Sequence, residues 1–376
     1  MPHQYGAALL FSLSIYDIHL HMKKLSLLVV LFIVSIKVWA QTPVQYIFKN
    51  HRDGYNMFRI PAIVATNNGK LLAFCEGRKS LMDHGDIDLV MKTSADNGKT
   101  WSAPQVIWNN GTNTCGNPAP VVDKATGHVL VAATLNNDSV FILRSADEGT
   151  SWMPPVNITA KVKPVGWQWY ATGPGHSIQL QSAAQPNRIV IPCNHTTTTN
   201  PLHVSHVIYS DDNGNTWQQG GEVNATKTDE CTIAELSNGN LLLNMRNNQR
   251  PLPNRKTAIS SNGGLTWSNP SYDSTLIEPV CQGTLLSYTA VTGVLLFCNP
   301  AHTSKRKNLT LYVSHTNGAS WQNKVTVYKK LSAYNDMLTL PNGDVLCLFE
   351  TGKVLPYGGI AITTIAKEKI IPATKP

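Results

Sequence analysis

The chain has 376 residues, of which 14% are charged, with a formal net charge of +8, 26 Gly, 22 Pro and nine Trp. No block of five or more like charges occurs, so nothing points to a nucleic-acid partner. The seven Cys show no paired spacing and the twelve His no zinc-ligand spacing, so neither a metal nor a cofactor is expected. Apolar residues do not recur at helical spacing over any long stretch, and the Gly and Pro content favours short strands joined by tight turns. The chain reads as all-β.

In chain order, Met22-Lys23-Lys24 opens a basic stub, Leu25 to Ile36 is an apolar run, and Val38-Trp39-Ala40 precedes Gln41. This is the order of a secretory signal peptide. The run is shorter than the roughly 20 apolar residues a spanning helix needs, so no stable membrane span is expected. Residues 1–40 are therefore read as a signal peptide, with Met22 an alternative start. The remainder, 41–376, is expected to be one monomeric domain that is periplasmic, surface-held or extracellular.

Two repeats interleave from there on. The first is Ser-x-Asp-x-Gly-x-Thr-Trp, at Ser94–Trp101, Ser145–Trp152 and Ser210–Trp217, with degenerate copies at Ser260–Trp267 and Ser314–Trp321. Asp at its third position can bond the local backbone, Gly at its fifth supplies a positive φ, and the Trp anchors the turn. The second repeat is a turn followed by an apolar strand ending in polar residues. Its second turn residue falls at 69, 127, 187, 239, 293 and 343. Units of this length with several strands each predict a six-bladed β-propeller. A β-sandwich or jelly roll fits the strand content but not the repeat count. The sixth unit lacks a Trp turn, which predicts a last blade closed jointly by both chain ends.

Arg78, His195, Arg246 and Glu350 each directly follow an apolar run of the second repeat. Ionisable groups at the ends of buried strands are costly unless paired or used. Read from the residues alone, these are either a salt-bridge network or a site.

Phe58-Arg59-Ile60-Pro61, together with the Trp turns (known as Asp boxes), resembles the exo-α-sialidase (neuraminidase) family, in its bacterial-type secreted form, over roughly residues 45–366. The resemblance implies that Arg59, Arg246 and Arg306 clamp the carboxylate of sialic acid; guanidinium forks suit a planar carboxylate where lysine does not. It implies Asp83 as acid/base, with Asp86 in the same loop as the rival. Tyr334 is implied as nucleophile with Glu230 as its base, Glu350 as the group orienting Arg59, and Arg78 and Asn117 as pocket-lining residues. The Gly-rich stretch Trp167–His176 resembles an active-site loop. The implied activity is that of a retaining exo-α-sialidase acting on sialylated glycans. A non-catalytic sialoglycan-binding propeller and a trans-sialidase, including an intramolecular one, stay open as alternatives.

Overall fold

In a computed structural model of the chain, the structure describes residues 44–371 except 183, 200, 250 and 251. The expected signal peptide, residues 1–40, lies outside the described residues.

The two repeats become two kinds of turn in an antiparallel meander. After β1 (Gln45–Lys49), a first sheet holds β2 (Met57–Ala65), β3 (Leu71–Arg78), β4 (Ile87–Ser94) and β5 (Gln105–Trp108). A second holds β6 (Cys115–Val122), β7 (Val129–Leu135), β8 (Ser139–Ser145) and β9 (Val156–Asn157). The third has β10 (Trp167–Thr172), β11 (Ile178–Gln179), β12 (Ile189–Thr197), β13 (Val204–Ser210) and β14 (Gln218–Glu222). The fourth has β15 (Thr228–Glu235), β16 (Leu241–Asn247), β17 (Asn254–Ser260) and β18 (Ser271–Ile277).

The rest form one seven-stranded sheet. It comprises β19 (Thr284–Ser287), β20 (Leu295–Pro300), β21 (Lys307–Ser314), β22 (Asn323–Thr339), β23 (Val345–Thr351) and β24 (Gly359–Ile365), with β1 at its far edge. The expected separation into six units therefore gives way to four separate sheets and one continuous one. The cause is β22, a 17-residue strand that pairs with β21 in its first half and with β23 in its second. The predicted joint closure is present, since β1 pairs antiparallel with β24.

First strands stand side by side in a ring. β2 neighbours β6, which neighbours β10 and β11; β11 neighbours β15, then come β19 and β22, and β22 returns to β2. This propeller-like arrangement packs sheets face to face, so second strands are covered on both sides. All eight residues of β3 are buried, which is why they read as an apolar run and not an alternation.

The second repeat turns from first to second strand, and the Asp box leads out of the third. In the first box Ser94 Oγ accepts from Gly98 N at 2.9 Å and donates to Asp96 at 2.8 Å. Asp96 accepts from Thr100 N at 2.9 Å and from its hydroxyl at 2.6 Å, bonds that lower its pKa to about 2. Asn97 and Gly98 both have positive φ, +58° and +83°, which explains the Asn-Gly pair. The degenerate copies keep the acceptor: Asn262 Oδ1 receives Thr266 N, and Thr316 Oγ1 receives Ser320 N. All seven cysteines are free and buried.

Candidate active site

First strands do not run regularly to their ends. Register shifts interrupt β2 between Arg59 and Ala62, β6 between Gly116 and Ala119, β10 between Trp167 and Tyr170, β15 between Thr228 and Cys231, and β22 between Ser332 and Asn335. Bulges re-aim side chains that a regular pleat would send into the sheet interface. Glu230 and Tyr334 lie inside two of these bulges, and Arg59 borders a third. Ile60, after Arg59, sits at φ +59°, a conformation that β-branched residues avoid and that here is held by its surroundings.

The centre is Tyr334. Its ring is 6% exposed and its hydroxyl donates to Glu230 Oε1 in a very short hydrogen bond. Arg246, near the end of β16, donates Nη1 to Glu230 Oε2 at 2.7 Å and to the Tyr334 hydroxyl at 3.1 Å. Arg59 and Arg306 stack their guanidinium carbons 5.1 and 5.3 Å from the same ring. Three arginines thus surround one phenol.

Proton positions follow from the neighbours. Burial pushes the Tyr334 phenol up, Glu230 adds to this, and Arg246 and Arg306 only partly oppose it, so it stays protonated. Burial also pushes Glu230 up, but Arg246 and the Tyr334 hydrogen bond win, and its net shift is downward. Adjacent Asp229 is raised by burial and by Glu230. The pair at Tyr334 is therefore a neutral phenol donating to a carboxylate, poised to pass its proton.

Glu350 is fully buried and does more than orient Arg59. Its Oε1 accepts from Arg59 Nε at 2.7 Å and from Ile60 N at 3.0 Å, while Oε2 accepts from Tyr334 N at 3.3 Å. One carboxylate fixes the arginine, the strained residue after it, and the strand bearing the phenol. Arg306 donates to the Tyr357 hydroxyl at 3.0 Å and to Val280 O at 2.9 Å, and Arg59 lies 4.4 Å over the Tyr357 ring.

Asp83 stands at the rim with an 80% exposed side chain, bonded tightly to Arg78 and 3.5 Å from Arg59. Burial by its neighbours raises its pKa, but the Arg78 hydrogen bond and charge, then Arg59 and Arg306, bring it below the usual value. Its rival Asp86 is engaged through its backbone carbonyl with Lys79 N at 3.1 Å. Arg78 is 3% exposed and forks onto Glu76, whose other oxygen accepts Asn117 N at 2.9 Å. The Asn117 side chain donates to Thr134 at 3.1 Å. Arg78 and Asn117 are thus joined through Glu76 beneath Asp83.

His195 is not brought to the arginines. It stacks on Trp167 with centroids 3.3 Å apart and faces His206 at 3.1 Å, in a buried cluster of the third sheet. Three participants escaped sequence reading, Glu76, Tyr357 and Asp336; the partner of Asp336, His176, ends the stretch read as an active-site loop. Asp336, fully buried two residues beyond Tyr334, accepts from Ile63 N and His176 N at 2.9 Å and from His176 Nδ1 at 2.6 Å. The detectable signal was an Asp inside an apolar strand run, which demands a buried partner. A cavity of about 700 Å³, lined by the turns at Gly239 and Gly293 with Glu235 and Tyr288, lies at the other end of β15 from Glu230.

Comparison with known proteins fits this geometry. Residues 69–347 match the family described as BNR repeat-like domain, which sets the class of protein. A sialidase of Bacteroides fragilis is 31% identical over 307 residues, 72% of this chain and 55% of the relative. An exo-alpha-sialidase of Arthroderma benhamiae is 31% identical over 302 residues, 71% of this chain and 69% of the relative. The solved structure of the Hadza microbial sialidase Hz136 superposes with a TM-score of 0.76 at 26% identity, covering 85% of this chain and 67% of that one. The chain belongs to the exo-α-sialidase family with BNR repeats. It spans about half the length of the B. fragilis relative.

Proposed function

We propose that the chain is a retaining exo-α-sialidase that hydrolyses terminal sialic acid from glycoproteins, glycolipids and oligosaccharides. The observation that carries this reading is the Tyr334–Glu230 hydrogen bond enclosed by Arg59, Arg246 and Arg306. The anomeric carbon of sialic acid bears a carboxylate, which the three guanidinium groups bind. A carboxylate nucleophile would be repelled there, whereas a neutral phenol is not; sialidases, with their Tyr nucleophile, are for this reason an exception among retaining glycosidases.

In the first step the Tyr334 oxygen attacks the anomeric carbon and its proton passes to Glu230. The glycosidic C–O bond breaks as Asp83 gives its proton to the leaving oxygen. In the second step Asp83 takes a proton from water, whose oxygen displaces Tyr334, and Glu230 returns the proton to the phenolate. Two inversions retain configuration. Substrate also bears on the state of Asp83: its carboxylate offsets the positive field of Arg59 and Arg306 and so shifts Asp83 toward the protonated form, while the larger influence, Arg78, is left in place.

We read the architecture as six blades, with the seven-stranded sheet counted as two because β22 changes partner between Leu331 and Ser332. Residues 41–376 are taken as one monomeric catalytic propeller, exported by a signal peptide in 1–40. The test is release of free sialic acid from sialyl-lactose by the purified protein beside Tyr334→Phe. The expected outcome is robust release that the substitution lowers by at least a hundredfold. Wild-type protein that binds the sugar without releasing it overturns the hydrolase reading.

A further inference from the structure

The rim of the arginine cluster carries apolar side chains with no cover. Leu81 and Met82 are 66% and 55% exposed, Val354 and Leu355 86% and 63%. Among the described residues these are the two places where consecutive large apolar residues stand exposed; the others stand singly. Single exposures are ordinary, and paired ones at a functional mouth mark an interaction surface.

Both pairs belong to loops that also carry site residues. The loop 79–86 holds Asp83, and the loop 352–358 holds Tyr357. Arg59 touches both, at 3.5 Å from Asp83 and 4.4 Å over the Tyr357 ring. A third loop, 301–306, joins them through the Arg306 bond to Tyr357 at 3.0 Å. Each of the three presents an exposed lysine: Lys79, Lys305 and Lys353. Lys79 is braced by Gly54 O at 3.0 Å and the Tyr55 ring. Of the acidic groups on these loops, Asp83 is paired with Arg78 and Asp86 is half-buried.

Apolar tips flanked by cations fit a negatively charged bilayer, where apolar groups enter the boundary of headgroups and acyl chains while lysines meet anionic headgroups. A folded protein partner would need a surface shaped to receive two separate protruding tips. A lipid surface deforms around them and needs none.

We propose that this rim docks on an anionic lipid surface, with Leu81, Met82, Val354 and Leu355 inserted and Lys79, Lys305 and Lys353 facing the headgroups. The site would then look onto sialylated glycolipids standing on that same surface. The substrate half of this inference rests on the sialidase reading; the surface half does not.

The test uses full-chain Tyr334→Phe protein and vesicles of phosphatidylcholine alone or with about 30% phosphatidylserine. Co-sedimentation is expected with the mixed vesicles, weakened by salt, and lowered about tenfold by Leu81→Ser/Met82→Ser/Val354→Ser/Leu355→Ser and by Lys305→Glu/Lys353→Glu. In otherwise wild-type protein the four serines are expected to slow release from a sialylated glycolipid in those vesicles about tenfold and to leave sialyl-lactose release unchanged. Failure to bind mixed vesicles, or binding untouched by both variants, overturns the proposal. So does an equal loss on both substrates, which would make the loops a cover for the sugar. If no substrate is cleaved but vesicle binding responds as expected, the surface stands and the sialidase reading falls.

Discussion

The acid role proposed for Asp83 requires it to arrive with its proton, and two arginines beside it favour losing it. Arg78 holds it tightly and Arg59 lies within 3.5 Å, although water around an 80% exposed side chain screens both. A substrate carboxylate held by Arg59 would offset that arginine and ease the conflict, leaving Arg78 as the group that still opposes protonation. Asp83→Ala is therefore expected to lower kcat on sialyl-lactose by about 10²–10⁴, the usual weight of general acid–base catalysis. On an aryl sialoside with an acidic phenol leaving group, bond breaking needs no proton, so glycosylation should be spared. Equal losses on both substrates, measured as kcat/KM, would remove Asp83 from the acid role. Arg59, Tyr334 and Glu230 were nameable from sequence because each sits in a recognisable local string. Tyr357 was not, because it reaches the site from a loop whose neighbours, Pro356 and Gly358, say only that the chain turns.

At the scale of elements, the bulges and the carboxylates behind them build the site. Asp336 binds Ile63 in β2, four residues past Arg59, and His176 ahead of β11, so a buried ion pair ties three sheets behind the phenol. Burial pushes the His176 imidazole down, but the Asp336 carboxylate overrides it and the net shift is upward. A group raised on folding stabilises fully below its unfolded pKa, about 6.5, and that contribution disappears as pH rises through the folded value. The stability gap between wild type and His176→Gln, read from thermal midpoints, is thus expected to be widest near pH 6 and to shrink toward pH 9. A gap that widens with pH would contradict the charged pair. In the Asp boxes, Ser94 is 3% exposed and its hydroxyl receives the buried Gly98 N–H. Ser94→Ala strands that donor and is expected to cost about 1–3 kcal/mol, seen as a lower thermal midpoint with unchanged KM. The boxes were legible because turn chemistry is local. The His176–Asp336 pair was not, since 160 residues separate its partners and only the folded ring brings them together.

The described fold is closed by its first and last strands. β1 adds the last strand to the seven-stranded sheet, and Phe48, fully buried, packs its ring 5.4 Å from Phe58. Phe48→Ala is expected to cost about 3–5 kcal/mol and to lower the thermal midpoint with it, the range for removing a buried aromatic ring. A change within about 1 kcal/mol would show that β1 is an ornament on a ring already closed. Repeat counting predicted this joint from a missing Trp turn in the sixth unit. It did not predict the continuity of β22, because nothing between Asn323 and Thr339 marks the point where one strand changes partners.

The bonds from Glu350 to Arg59, Ile60 and Tyr334 have a consequence for the order of events during synthesis. Arg59 leaves the ribosome 275 residues before Tyr334, and Glu350, the carboxylate that joins them, follows later still. No shorter nascent chain can assemble this centre. The centre proposed to cleave sialic acid therefore stays unformed until residue 350 has emerged and the strands that carry Arg59 and Tyr334 have met.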